Sequence, residues 1–196
     1  MRSTFFAFAG MAALAVAAPE IRSVQAQSDD RVTAARQKGV EFLKSRQKSD
    51  GSWDYEGHHT GITALCTLAL LENGLPPSDP AIDRGLQYVR RNLDDLTQTY
   101  DVTLSILLLH RVGARIDRGR IRDLAARLIA GQQTSGGWTY SCPKVTGVVL
   151  SNPRLMPKPG ASPGDNSNTQ FGTLGLWVAS REGVDISSAM QKVAQR

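Results

Sequence analysis

The chain has 196 residues and a formal net charge of +5, with 41% hydrophobic and 21% charged residues. Those proportions belong to a globular protein and exclude a disordered tail or a collagen-like rod. No run reaches the ~18 consecutive apolar residues of a membrane span, two cysteines cannot make a disulfide-dense scaffold, and the positive charge is spread along the chain, which gives no reason to expect nucleic acid as a partner.

The first 26 residues predict a secretory signal peptide. Arg2 opens a short positive region, Phe5 to Ala18 is apolar, and Ser23-Val24-Gln25-Ala26 offers a small-x-Ala cleavage site. The expectation is an exported protein, periplasmic or extracellular, cleaved near Ala26. Residues 27–196 then have the length of one domain.

Next comes an internal repeat. Lys38-Gly39-Val40-Glu41-Phe42-Leu43 leads to Gln47 and then to Gly51-Ser52-Trp53. Leu128 leads to Gln132 and then to Gly136-Gly137-Trp138, each matched position lying 85 residues after its counterpart. A third copy of the opening, Arg84-Gly85-Leu86-Gln87-Tyr88-Val89, falls between them.

Two kinds of helix alternate through this repeat. Ile82, Leu86, Val89 and Leu93 form one apolar stripe, and Ile121, Leu124, Ala125, Leu128 and Ile129 form another. Charged residues, among them Arg90, Arg91, Arg122 and Arg127, fill the other positions. Such helices keep one side in water. By contrast, residues 62–71, 102–109 and 171–179 contain no Asp, Glu, Lys or Arg. A helix apolar on most faces must be covered on most faces. This predicts two layers, with half-wet helices outside and uncharged helices inside. Between the second motif and the last inner helix, residues 139–165 form a connection with five prolines, far longer than the usual loop. It is expected to fold near one mouth of the inner layer. Ile186, Met190 and Val193 then repeat the spacing of an outer helix.

The combination of Lys38-Gly39, Phe42-Leu43, Gln47, Gly51 and Trp53 resembles the QW motif of squalene–hopene and oxidosqualene cyclases, with related repeats in protein prenyltransferase β subunits. That resemblance implies an all-α fold, an α/α toroid with inner helices ringed by outer ones. Here it would be an incomplete ring of three helix pairs plus one helix, completed by missing repeats or by self-association. It also implies that Gln47, Gly51, Trp53, Gln132, Gly136 and Trp138 are structural. The chain departs from the catalytic patterns of the family. Its nearest string to an Asp-x-Asp-Asp acid is Asn92-Leu93-Asp94-Asp95, and Tyr140-Ser141 precedes Cys142 where an Asp-x-Cys zinc pair would need a carboxylate.

Stacking Thr63, Thr103 and Thr173 aligns the starts of the three inner helices. It gathers His58, His59, Tyr100, Asp101, Asp165, Asn166, Asn168 and Gln170 as candidate ligand-binding residues at one mouth. Helix N-termini concentrate unpaired N–H groups and positive dipole. The bland alternative is that these residues cap helices and meet solvent. Adjacent histidines diverge at a helix start, and zinc needs three or four ligands, so neither a metal nor another cofactor is expected. Cys66 reads as a small core residue, and a Cys66–Cys142 disulfide is allowed by export but not required by spacing. Three functions compete. The favoured one is a binding module for an unknown ligand or protein partner, without chemistry. The second is a cyclase- or prenyltransferase-type enzyme completed by missing repeats. The third is a polysaccharide-degrading toroid with Asp101 and Asp165 as its carboxylates.

Overall fold

The computed structural model describes the backbone of residues 20–196 and the side chains of residues 29–196. The leader expected at residues 1–26 lies outside the residues whose side chains are described. Contacts divide the chain at Gly39. In the first unit the described part is the helix that starts at Glu20, and residues 29–39 are all exposed.

The second unit, residues 40–196, is all-α. The chain gives α1 (Glu20–Arg46), α2 (His59–Glu72), α3 (Pro80–Asn92), α4 (Thr99–Val112), α5 (Arg118–Gly131), α6 (Val148–Ser151), α7 (Asn166–Ser180) and α8 (Ser187–Ala194). The three uncharged segments lie within α2, α4 and α7, which pack side by side in that order. On their other side α3 packs on α2, while α5 packs on both α4 and α7. The helix-pair packing expected of a repeat is present, but the uncharged helices are not covered on most faces: Leu65, Leu174 and Trp177 are exposed. The core is built from α3 residues Ile82 and Val89, α4 residues Ile106, Leu108 and Leu109, and α5 residues Leu124 and Leu128, all essentially inaccessible. Each such side chain contributes roughly 1.5–3 kcal/mol by leaving water.

Local signals act as expected at the start of α3. Asp79 accepts from the Ala81 amide at 2.9 Å, and Pro80 occupies the first turn, where its missing N–H costs nothing.

The two motif copies share a set of hydrogen bonds, to which Gln47 Oε1 adds one accepted from Arg84 Nη2 at 2.7 Å. Gln47 Nε2 donates to Gly51 O at 3.0 Å and to Ala81 O at 2.8 Å. Gln132 Nε2 donates to Gly136 O at 3.0 Å and to Ala189 O at 2.9 Å. One amide thus closes its own turn and ties it to the first turn of the next outer helix, α3 or α8. The indoles repeat each other too. Trp53 Nε1 donates to Leu43 O at 2.8 Å, and Trp138 Nε1 to Leu128 O at 2.7 Å. Each indole therefore satisfies a carbonyl of the outer helix before it while its rings fill the core.

Glycine is required at one place in both turns. Gly51 has φ +92° and Gly136 φ +82°. A Cβ at Gly51 would lie 2.4 Å from Arg84 O, and one at Gly136 2.3 Å from Lys192 O. Only a residue without Cβ lets the turn touch the backbone of the next outer helix in this conformation.

Two expectations need correction. Arg127 sits among the charged positions of an outer helix, yet it is 4% exposed. Its guanidinium donates to Leu93 O, Leu96 O and Val145 O, satisfying carbonyls where the chain leaves α3. Spacing alone placed it in water, but a charge can be buried where fixed carbonyls replace its hydration. The second correction concerns register. The backbone N of Trp53 donates to Thr63 Oγ1, and that of Trp138 donates to Thr169 Oγ1. Thr169, one turn before Thr173, is therefore the counterpart of Thr63 in this contact.

Candidate functional site

The residues expected at a mouth lie at the starts of α2 and α4. His59 is the first residue of α2, with His58 at its N-cap position, and Tyr100 and Asp101 lie in the first turn of α4. Asp101 is buried at 8% exposure, and its Oδ1 is 3.7 Å from Nδ1 of the half-exposed His58. Burial pushes the Asp101 carboxyl above the usual carboxylate range, and the His58 ring partly opposes that rise. A Cβ on Gly61 would come within 2.1 Å of Asp101 Oδ1, so the bare backbone of α2 makes room for the carboxylate.

His59 has a different partner. Its Nδ1 is 3.1 Å from Asp54 Oδ1, while Asp54 Oδ2 accepts from Lys48 Nζ at 3.1 Å. That lysine holds the exposed Asp54 carboxyl below its ordinary value. The two adjacent histidines therefore diverge to separate carboxylates. Among the described residues no three His, Cys, Asp or Glu side chains converge as a metal ion would need.

Aromatic rings lie beside these residues. Tyr100 meets Phe171 of α7 edge-on at 4.6 Å between centroids and lies 6.2 Å from Tyr140. Tyr140 is 62% exposed. It is held there because the start of the 139–165 connection is tied to the start of α4. Thr99 N donates to Tyr140 O, Thr99 Oγ1 donates to Thr139 O, and Cys142 N donates to Thr97 O. Phe171, Tyr140 and Asp54 were not among the candidates taken from sequence. The signal for Tyr140 was present, since it lies two residues after Trp138 as Tyr55 lies two after Trp53.

The α7 candidates form another group. Asp165 caps α7: its Oδ1 accepts from Asn168 N and Ser167 Oγ, and its Oδ2 accepts from Asn168 Nδ2. Those bonds, led by the Asn168 amide, lower its pKa. Asn168 is wholly buried, and its Oδ1 has no hydrogen-bonding partner. Arg196 donates to Thr169 Oγ1 and, at 3.5 Å, to Asn166 Oδ1. Gln170 is exposed beside Phe171. His58 and Asp101 are thus brought together, whereas Asp165, Asn166 and Asn168 are engaged in capping and in holding the end of the chain.

Farther along α7, Leu174 and the half-exposed Trp177 succeed Gln170 at helical spacing, and Arg181 stacks over the Trp177 ring at 4.1 Å. Both cysteines are free thiols, each pushed up to about 11 by burial. Cys142 Sγ lies 3.4 Å from Thr99 Oγ1.

Only the first residues of the long connection approach the mouth. The remainder crosses the outer layer. Arg127 holds Val145 O, Asp123 Oδ1 accepts from Gly147 N, and Thr134 N donates to Gly160 O. It returns to the inner layer where Asp165 N donates to Trp138 O.

No family model, no curated protein and no solved structure matches this chain. Among the described residues no helix is long and apolar enough to cross a membrane.

Proposed function

We propose that the chain is an exported repeat protein of the α/α-toroid type, resembling prenyltransferase and squalene–hopene cyclase repeats, and that it binds a ligand at the mouth formed by α2 and α4 without transforming it. The toroid reading is supported by the alternation of an uncharged and a charge-bearing layer, and by the two equivalent Gln–Gly–Trp corners. The binding reading rests on one observation. Tyr100 contacts the inclined rings of Phe171 and of the exposed Tyr140 beside the His58–Asp101 pair, an aromatic cluster taken here as the platform.

An aromatic face beside ionisable hydrogen-bonding groups suits a glycan, whose sugar rings have apolar faces and hydroxyl rims. It does not suit glycosidic cleavage by Asp101 and Asp165. Hydrolysis needs two carboxyl groups free to face one bond, and both Asp165 oxygens are committed to the α7 cap.

The test is NMR titration of the isotope-labelled full chain with cellotetraose. Amide shifts at Tyr100, Tyr140 and Phe171 that Tyr100→Ala abolishes are the expected result, with the sugar recovered intact by chromatography. Shortened sugar products, or shifts scattered away from this platform, would overturn the reading.

A further inference from the structure

The 139–165 connection builds a second candidate site on the outer layer. A cleft of about 480 Å³ opens between α5, the connection and the turn from α7 into α8. That volume is within the range of small-molecule sites. Ile129 comes from α5, Val149, Leu150 and Met156 from the connection, and Val184 from the turn. The corresponding link after Trp53, residues 54–58, runs directly into α2. The cleft therefore exists only because the second repeat carries the longer link. Insertions in repeat proteins commonly serve binding.

Ser151, Ser188 and two opposite charges, Arg122 and Asp185, also line the cleft, which is about as polar as it is apolar. Arg122 is exposed, and among the described residues it has no hydrogen-bonding or ionic partner. Asp185 Oδ1 accepts from Ser187 N at 2.9 Å, a bond that leads the lowering of its pKa and leaves it ionised at neutral pH. Arg122 and Asp185 do not pair with each other. A ligand of one sign would meet repulsion from one of them. A ligand carrying both signs around an apolar body complements the pair.

We propose that this cleft binds short apolar peptides with free termini, the α-carboxylate at Arg122, the α-ammonium at Asp185 and the side chains against Ile129, Leu150 and Val184. This site is separate from the aromatic mouth and does not depend on the function proposed there.

Calorimetry of the full chain with the tripeptide Leu-Val-Leu tests it. Arg122→Gln and Asp185→Asn are each expected to weaken binding about tenfold, the scale of one charge-assisted hydrogen bond. C-terminal amidation should reproduce the Arg122→Gln loss and make that variant indistinguishable from wild type. N-acetylation should do the same for Asp185→Asn. Ser151→Trp, an exposed lining position, should block the cleft while circular dichroism reports an unchanged fold. No binding at 10 mM peptide, equal binding of the doubly blocked peptide, or preference for decanoate over the peptide would each overturn the proposal.

Discussion

The corner at Gln47–Trp53 and the corner at Gln132–Trp138 use the same side chains and the same acceptors, yet they lead into links of very different length. After Trp53 the chain enters α2 directly, and after Trp138 it runs through 27 residues before α7. The corner tolerates this because its bonds are made by residues on either side of the link and not by the link itself. The indole reaches back to the outer helix, and the amide acceptor lies on the next outer helix. Neither bond involves the link. Burial differs as well. Gln132 is 2% exposed whereas Gln47 is half-buried, and Trp138 is fully covered whereas Trp53 keeps a small exposed edge. The second corner is the more deeply enclosed version of the same device.

The largest expected effect separates the two indoles. Trp138→Ala should cost about 3–5 kcal/mol in urea unfolding, with Trp53→Ala at or below the lower end of that range. Equal losses would mean that the enclosure of the second corner has no energetic consequence. Gly51→Ala and Gly136→Ala should each cost about 1–3 kcal/mol, from the forced positive φ and the carbonyl behind it. Gly51→Ala is expected to be the worse, because Arg84 belongs to the longer, better-buried α3 whereas Lys192 belongs to the eight-residue α8, which can shift away. The reverse order in thermal melts would show that α8 is the firmer partner.

A smaller gap is expected for the amides. Gln132→Ala leaves two carbonyls without their donor in a buried site and should cost about 2 kcal/mol, against about 1 kcal/mol for Gln47→Ala, where water can replace it. The smallest effect concerns the mouth. Asp101 is held above its ordinary pKa, so the folded state keeps its proton to higher pH than the unfolded chain does. Its contribution to stability is therefore present at low pH and lost as pH rises through the folded pKa. Asp101→Asn should gain on wild type between pH 4 and pH 7, and the gap should vanish below the unfolded value of ~3.9. Melting curves across that range check it. A variant that loses stability at pH 7 would mean that the His58 contact outweighs burial.

Several features were readable from local chemistry. Asp79-Pro80 announced α3, and the absence of charge marked the inner helices. The constant 85-residue offset identified both corners. His58 and Asp101 were drawn from separate segments, and the structure places them in contact. The capping alternative offered for Asp165 is what the structure shows, whereas nothing in the order of residues signals that Tyr140 reaches the Tyr100 ring. That contact depends on how the start of the connection is tied to α4.

Periodicity, capping residues and composition act within a few residues along the chain, so the order of residues alone was enough to place the helices, whereas the structural role of the corner residues came from the resemblance of the repeat. The burial of Arg127, the contact of Thr169 with Trp138 and the cleft beside Arg122 were decided by tertiary structure. Each joins groups distant in sequence, and its energy depends on what surrounds it once water is excluded, a condition that does not exist until the layers have packed.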